Sequence, residues 1–140
     1  MKEGKTIDQL NIGEKASFTK QITESDVLRF AELTGDKNPI HLDQEYAHQT
    51  RFKQRIVHGM LTASLISVAI STHLPGPGNI YVSQSLEFKA PVKLGNIIQA
   101  EVEVIEKIFE KNRIRLRMVC RNQDRTAAID GEAVVLPRRN

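Results

Sequence analysis

The sequence predicts an α+β roll, an antiparallel sheet curled around one buried helix. Three observations carry that prediction. The segment from His58 to Thr72 is apolar almost all round, and its polar residues Thr62, Ser64, Ser67 and Ser71 are all small; a helix of that composition is buried on most sides. Four runs of alternating apolar and polar residues follow it, the mark of antiparallel strands with one wet face. One buried helix and one such sheet must share a single core, and 140 residues suit one domain spanning 1–140.

Taken in order, residues around Phe18 to Gln21 read as a short strand. Thr23-Glu-Ser-Asp26 follows, where Thr23 or Ser25 is placed to cap a helix whose first-turn acids suit its dipole. Val27, Phe30, Ala31 and Thr34 share one face of that helix, and Gly35 is its natural stop. Asp36 to Asp43 is not expected to be regular helix, because Pro39 lacks a backbone donor and disfavours the helical region for Asn38. Asp43 then caps a short helix through Tyr46 and Ala47. The central helix ends before Leu74-Pro-Gly-Pro-Gly78, an emphatic break. Ile80, Val82, Leu86 and Phe88 share a face of the first strand-like run. Ile98, Ala100, Val102 and Val104 do so in the second; Ile114, Leu116, Met118 and Cys120 in the third; Ala127, Ile129, Ala133 and Val135 in the fourth. The connections are short, so a meander is expected. The sheet edges of a roll remain available for pairing with a second copy, and a homodimer is expected on that ground.

Composition narrows the class. Hydrophobic residues make up 40% and charged residues 26%, the balance of a soluble globular protein. There is no tryptophan, so the core must rest on aliphatic side chains and five phenylalanines. Cys120 is the only cysteine, which excludes an intramolecular disulfide and a cysteine-pair metal site. The N-terminus lacks the apolar run of a secretory signal, and no stretch reaches the ~18 apolar residues that span a membrane; a reducing cytoplasm is the expected location. A net charge of +3 and a pI near 9.1 are too mild for a dedicated nucleic-acid binder. The positive charge is local, in Arg51, Lys53 and Arg55 and in Arg113, Arg115 and Arg117. Such clusters suit a phosphate-bearing ligand or form a solvated face.

The informative stretch is Phe30-Ala-Glu-Leu-Thr-Gly-Asp-Lys-Asn-Pro-Ile-His41. It sets a carboxylate, Asp36, and an imidazole, His41, on either side of a rigid Asn38-Pro39 turn that can fold them toward a common point. Such a pair can hold one water, one group withdrawing a proton while the other supplies one. Addition of water across a double bond needs that pairing. The alternative is that Asp36 and Asn38 only form a turn and that His41 is a core histidine. Ile56-Val-His-Gly-Met60 leads into the buried helix, whose N-terminus presents free N–H groups and partial positive charge. Gly59 there lets a ligand approach the backbone closely, so its N–H can stabilise a thioester oxygen as negative charge develops.

These residues resemble a known family. Thr34-Gly-Asp-Lys-Asn-Pro-Ile-His41-Leu-Asp43 resembles the hydratase motif of the MaoC-like, (R)-specific enoyl-CoA hydratases. Arg55-Ile-Val-His-Gly-Met60 resembles the start of their central helix. Leu74-Pro-Gly-Pro-Gly-Asn-Ile-Tyr81 and Gln84-Ser-Leu-Glu-Phe-Lys-Ala-Pro-Val92 resemble the loop and strand that follow. The likeness covers roughly residues 5 to 137. It implies a hotdog fold, usually as a homodimer or dimer of dimers, and reversible hydration of trans-2-enoyl-CoA to (R)-3-hydroxyacyl-CoA in fatty-acid metabolism, with no metal or redox cofactor required. By the same resemblance Asp36 is the base that activates water, and His41 its partner in water binding and proton transfer. Asn38 braces the loop, the Gly59 amide is the oxyanion donor, and Ser67 helps orient the site or is a small helix-packing residue. His58 reads as structural. Arg55 stands where many relatives carry proline, and Lys37 where an apolar or aromatic residue is common.

The phosphates of CoA give the basic clusters a role, with Arg51, Lys53 and Arg55 as the expected contacts; an acidic carrier protein bearing the acyl thioester suits the same patch. Two other readings compete. A hotdog acyl-CoA thioesterase would hydrolyse the thioester, and the Asp-x-Asn-Pro-x-His run argues against it. A non-catalytic acyl-thioester-binding module would not need the intact Asp36 and His41.

Overall fold

The computed structural model describes residues 2–140. Strand β1 is Lys15–Gln21. Helix α1, Glu24–Thr34, opens on a capping box in which Thr23 Oγ1 accepts from the Asp26 N–H at 3.2 Å and Asp26 accepts from the Thr23 N–H at 2.9 Å; of the two candidate caps, Thr23 serves. Gly35 closes the helix at φ 84°, a left-handed conformation that costs glycine little. Two short helices follow, α2 at Pro39–Leu42 and α3 at Gln44–His48. The first corrects the expectation of an irregular segment. Pro39 occupies the first helical turn, where its missing N–H would be unpaired anyway, and Asn38 caps it by accepting from the Ile40 N–H at 3.3 Å.

Helix α4, Gly59–Val68, continues as a wider turn over Ala69–His73, so the central helix lies where the sequence predicts it. Its burial is one-sided in the single chain. Thr62, Ala63, Leu65, Ile66, Ala69 and Ile70 are buried, whereas Met60, Ser64, Ser67 and Ser71 are exposed.

Strands β2 (Ile80–Phe88), β3 (Ile97–Ile108), β4 (Arg113–Arg121) and β5 (Ala127–Leu136) complete one antiparallel sheet in the order β1-β3-β4-β5-β2. Only β3-β4-β5 is a meander. Strand β2 pairs with β5 at one edge, and residues 89–96 carry the chain across to β3 on the other side. The alternating residues of β3 and β4 are fully buried, as are Ile129, Ala133 and Val135 of β5. They pack with α4, Leu10 and Ile22 into a single core. A sheet wrapped on a central helix in this way is the hotdog fold.

Strand β2 departs from the expected pattern. A register shift between Tyr81 and Ser83 breaks the alternation, and Ile80, Val82 and Phe88 are exposed while Tyr81 and Leu86 are half-buried. The arginines of β4 lie on the outer face. Of the cluster Arg113, Arg115 and Arg117, Arg115 pairs across neighbouring strands with Glu106 at 3.0 Å and Glu132 at 3.5 Å; further along β4, Arg121 meets Glu101 at 3.8 Å. Cys120 is buried, and burial pushes its thiol pKa up to about 12, which leaves no reactive thiolate at neutral pH. Among the described residues no helix is long and apolar enough to cross a membrane.

Candidate active site

The Gly35 stop releases the chain into a short loop held by local bonds. The Thr34 hydroxyl donates to the Phe30 carbonyl at 2.7 Å and accepts from the Asp36 N–H at 3.2 Å; the Asp36 carboxylate accepts from the Asn38 N–H at 3.4 Å. The loop is exposed, Asp36 included. One turn of α2 then turns His41 inward, where it is 8% exposed.

The segment before α4 clamps His41 from several sides. The Ile56 N–H donates to the Ile40 carbonyl at 3.2 Å. The His41 Nδ1–H donates to the Ile56 carbonyl at 2.7 Å, and the Arg55 Nε–H donates to the His41 carbonyl at 2.8 Å. Because a carbonyl only accepts, the proton sits on Nδ1 and Nε2 keeps its lone pair. Burial holds the His41 pKa below the usual imidazole value. The Ile56 carbonyl opposes that, the neighbouring His58 adds to it, and Asp36 opposes it.

The His58 ring stacks on His41, with centroids 3.9 Å apart and planes 28° from parallel, and Phe30 lies 4.8 Å away on a tilted approach. The His58 Nε2–H donates to the Asp36 backbone carbonyl at 2.9 Å. A carboxylate oxygen of Asp36 and a nitrogen each of His41 and His58 all lie within 4.8 Å of one another. This cluster suits water and a proton better than a metal. Two stacked imidazoles direct their in-plane lone pairs along planes that do not meet within bonding distance, and one nitrogen of each ring is already spent on a carbonyl.

A cavity of about 360 Å³ opens beside the cluster. Its lining includes His41, Gly59, Thr62, Phe88, Arg51 and Phe52. Leu61 and Thr62 direct their N–H groups to the His58 carbonyl, and helix geometry leaves the Gly59 N–H without an intrahelical partner. The Phe88 ring lies directly against Gly59, so a Cβ there would stand 2.7 Å from it.

Asp36, His41 and Gly59 are thus gathered at one place, and Asn38 caps the helix that carries His41. Arg51 lines the cavity, with its guanidinium 4.7 Å from the Phe52 ring centre. Lys53 sits in an exposed turn at φ 62° outside the lining. Arg55 is outside the cavity lining: its Nη1 meets the Glu24 carboxylate at 2.7 Å and its Nε–H the His41 carbonyl, its Nη2 is buried without a partner, and the side chain is 14% exposed. Ser67 is on the exposed face of α4, about 12 Å beyond Gly59 at the helical rise, and does not reach this cavity within the chain. Phe88 escaped the sequence reading because alternation assigned it to the core; it keeps step with Leu86, opposite Ile129, but its ring lines the cavity against Gly59, a contact that carries no sequence signal.

A hotdog fold with a carboxylate and an imidazole beside a helix N-terminus suits a class, the proteins that act on acyl thioesters. The chain belongs to the MaoC-like family: the MaoC like domain matches residues 8–128. A 3-hydroxybutyryl-CoA dehydratase of Methylorubrum extorquens is 48% identical over 128 residues, 91% of this chain and 81% of that protein. An (R)-specific enoyl-CoA hydratase of Rhodospirillum rubrum is 46% identical over 129 residues, 92% and 89% of the two chains. The solved R-hydratase PhaJ1 from Pseudomonas aeruginosa superposes with a TM-score of 0.92 at 47% identity, covering 98% of this chain and 88% of that one.

Proposed function

We propose that the protein catalyses reversible addition of water to a trans-2-enoyl thioester, giving the (R)-3-hydroxyacyl thioester. The observation that carries this reading is the placement of the Asp36 carboxylate within 4.8 Å of an imidazole nitrogen of His41, beside a cavity that His41 shares with Gly59. The stereochemistry follows the names of the relatives.

In this mechanism the enoyl chain lies in the cavity with its thioester oxygen at the Gly59 N–H. A water sits between Asp36 and His41 Nε2. As its oxygen bonds to C3, Asp36 takes its proton, negative charge grows on the thioester oxygen, and the pair returns a proton to C2. The sum is one water added across the double bond. The buried, uncharged His41 accepts a hydrogen bond at Nε2 because Nδ1 is occupied by Ile56. Arg51, at the cavity, is the residue we assign to the phosphates of CoA, with Lys53 nearby in the chain. An acyl-CoA substrate places the working enzyme in a CoA-containing compartment, the cytoplasm in the simplest case.

The unpaired outer edge of β2, with Ile80 and Val82 exposed along it, suits antiparallel pairing with a second copy. The exposed face of α4 belongs to the same assembly in this reading, which gives Ser67 its place between protomers.

The test follows the ultraviolet absorbance of crotonyl-CoA with wild type and Asp36→Asn. Loss of the conjugated absorbance in wild type alone, without free thiol, supports the proposal. Thiol release would identify a thioesterase. No change with crotonyl or longer enoyl thioesters would identify a binding module.

A further inference from the structure

We propose that His58 is a positioning residue for the water-holding pair, fixing Asp36 through its Nε2–H and the plane of the His41 imidazole through its ring face. The proposal rests on the hydratase reading above for its kinetic consequence and on geometry alone for its structural one.

His58 is 1% exposed and does not line the cavity, so it does not meet substrate. It nevertheless touches both groups assigned to the chemistry, at 2.9 Å from the Asp36 carbonyl and 3.9 Å, ring to ring, from His41. The loop that carries Asp36 has little else to hold it. Its other bonds are local, to Thr34 at 3.2 Å and from Asn38 at 3.4 Å, whereas the bond from His58 spans 22 residues and ties the loop to the N-terminus of α4. That is also the terminus that presents Gly59. One side chain therefore sets the carboxylate, the imidazole and the oxyanion donor relative to each other.

A side chain that only filled the core would be expected to be apolar here. The His58 Nδ1 is buried without a partner, an unfavourable state for a polar atom that an apolar ring would avoid. What the imidazole adds over phenylalanine is a donor for the Asp36 carbonyl; what it adds over glutamine is a flat face for His41. Displacing a reacting group by about 1 Å can cost ~100-fold in rate, so a modest loss of registry is visible in turnover.

The two contributions separate in His58→Phe, which keeps a ring but no donor, and His58→Gln, which keeps a donor but no ring. With crotonyl-CoA, each variant is expected to lose roughly ten- to a hundredfold in kcat with KM within about threefold of wild type. Adding His58→Phe to Asp36→Asn is expected to cost far less than it does in wild type, because groups that act as a unit are non-additive. By 15N relaxation, the Lys37 amide, whose peptide unit carries the Asp36 carbonyl, is expected to become mobile in His58→Phe while the β4 amides stay rigid. A kcat within twofold of wild type in both variants would overturn the proposal, and so would a full multiplicative loss in the double variant. Should wild type fail to hydrate any enoyl thioester, the hydratase reading falls; the relaxation measurement then decides the role of His58, and an unchanged Lys37 amide in both variants would overturn it.

Discussion

The His41 Nδ1–H donates to the Ile56 carbonyl at 2.7 Å, so the one imidazole nitrogen left to chemistry is an acceptor. Burial keeps the ring uncharged to lower pH than a free imidazole. The acid limb of kcat/KM is therefore expected to fall below the ordinary value of 6.5. The same shift has a stability consequence. His41 binds fewer protons folded than unfolded in the window from 6.5 down to its depressed folded value, so its contribution is full above 6.5 and is lost as pH falls through that window. A pH–rate profile and chemical denaturation across pH check the two. An acid limb above 6.5 would contradict the assignment.

Asp36→Asn retains the shape of the loop, and amide oxygen can still accept from the Asn38 N–H. Because Asp36 is exposed, the midpoint of thermal unfolding is expected to shift little, while turnover falls by ~100- to 10,000-fold, the span of a lost general base. His41→Gln is expected to lose turnover similarly with less risk of a cavity than His41→Ala.

Gly59→Ala places a methyl 2.7 Å from the Phe88 ring. Phe88 is 54% exposed and can turn aside, so the fold is expected to survive within about 1 kcal/mol. Because that ring lines the cavity, its displacement changes the cavity's shape, and kcat/KM is expected to drop. Phe88→Leu in the same chain is expected to recover part of the loss, which steady-state kinetics on single and double variants will measure.

Arg51 and Arg55 are expected to behave differently despite their shared charge. Arg51→Ala should raise the KM for crotonyl-CoA and leave stability nearly unchanged. Arg55→Met removes a charged donor from the His41 carbonyl and is expected to cost about 1–3 kcal/mol by denaturant titration. Little of that is expected from Glu24, which is 62% exposed, because exposed ion pairs contribute ~0–1 kcal/mol. Equal effects of the two variants on KM would refute the distinction.

Val82→Lys sets a charge on the free edge of β2, where Val82 is 41% exposed. Light scattering after size-exclusion chromatography is expected to find wild type as a dimer or higher assembly and the variant shifted toward monomer. An unchanged mass would move the interface away from this edge.

The sequence by itself determined the class of fold and the run that sets Asp36 beside His41. Periodicity is a property of the chain, and burial enforces it: the alternating residues of β3 and β4 are fully buried as expected, and the central helix starts beside His58. The motif around Asp36 and His41 was legible because a glycine stop, a capping asparagine and a proline act over a few residues. Tertiary structure alone decided what those groups touch. The crossing of residues 89–96, the seating of the Phe88 ring against Gly59, and the burial of Arg55 against Glu24 and His41 each depend on contacts between segments far apart in the chain. So does the stacking of His58 on His41, since no local pattern distinguishes a histidine that fills a core from one that holds two neighbours in place.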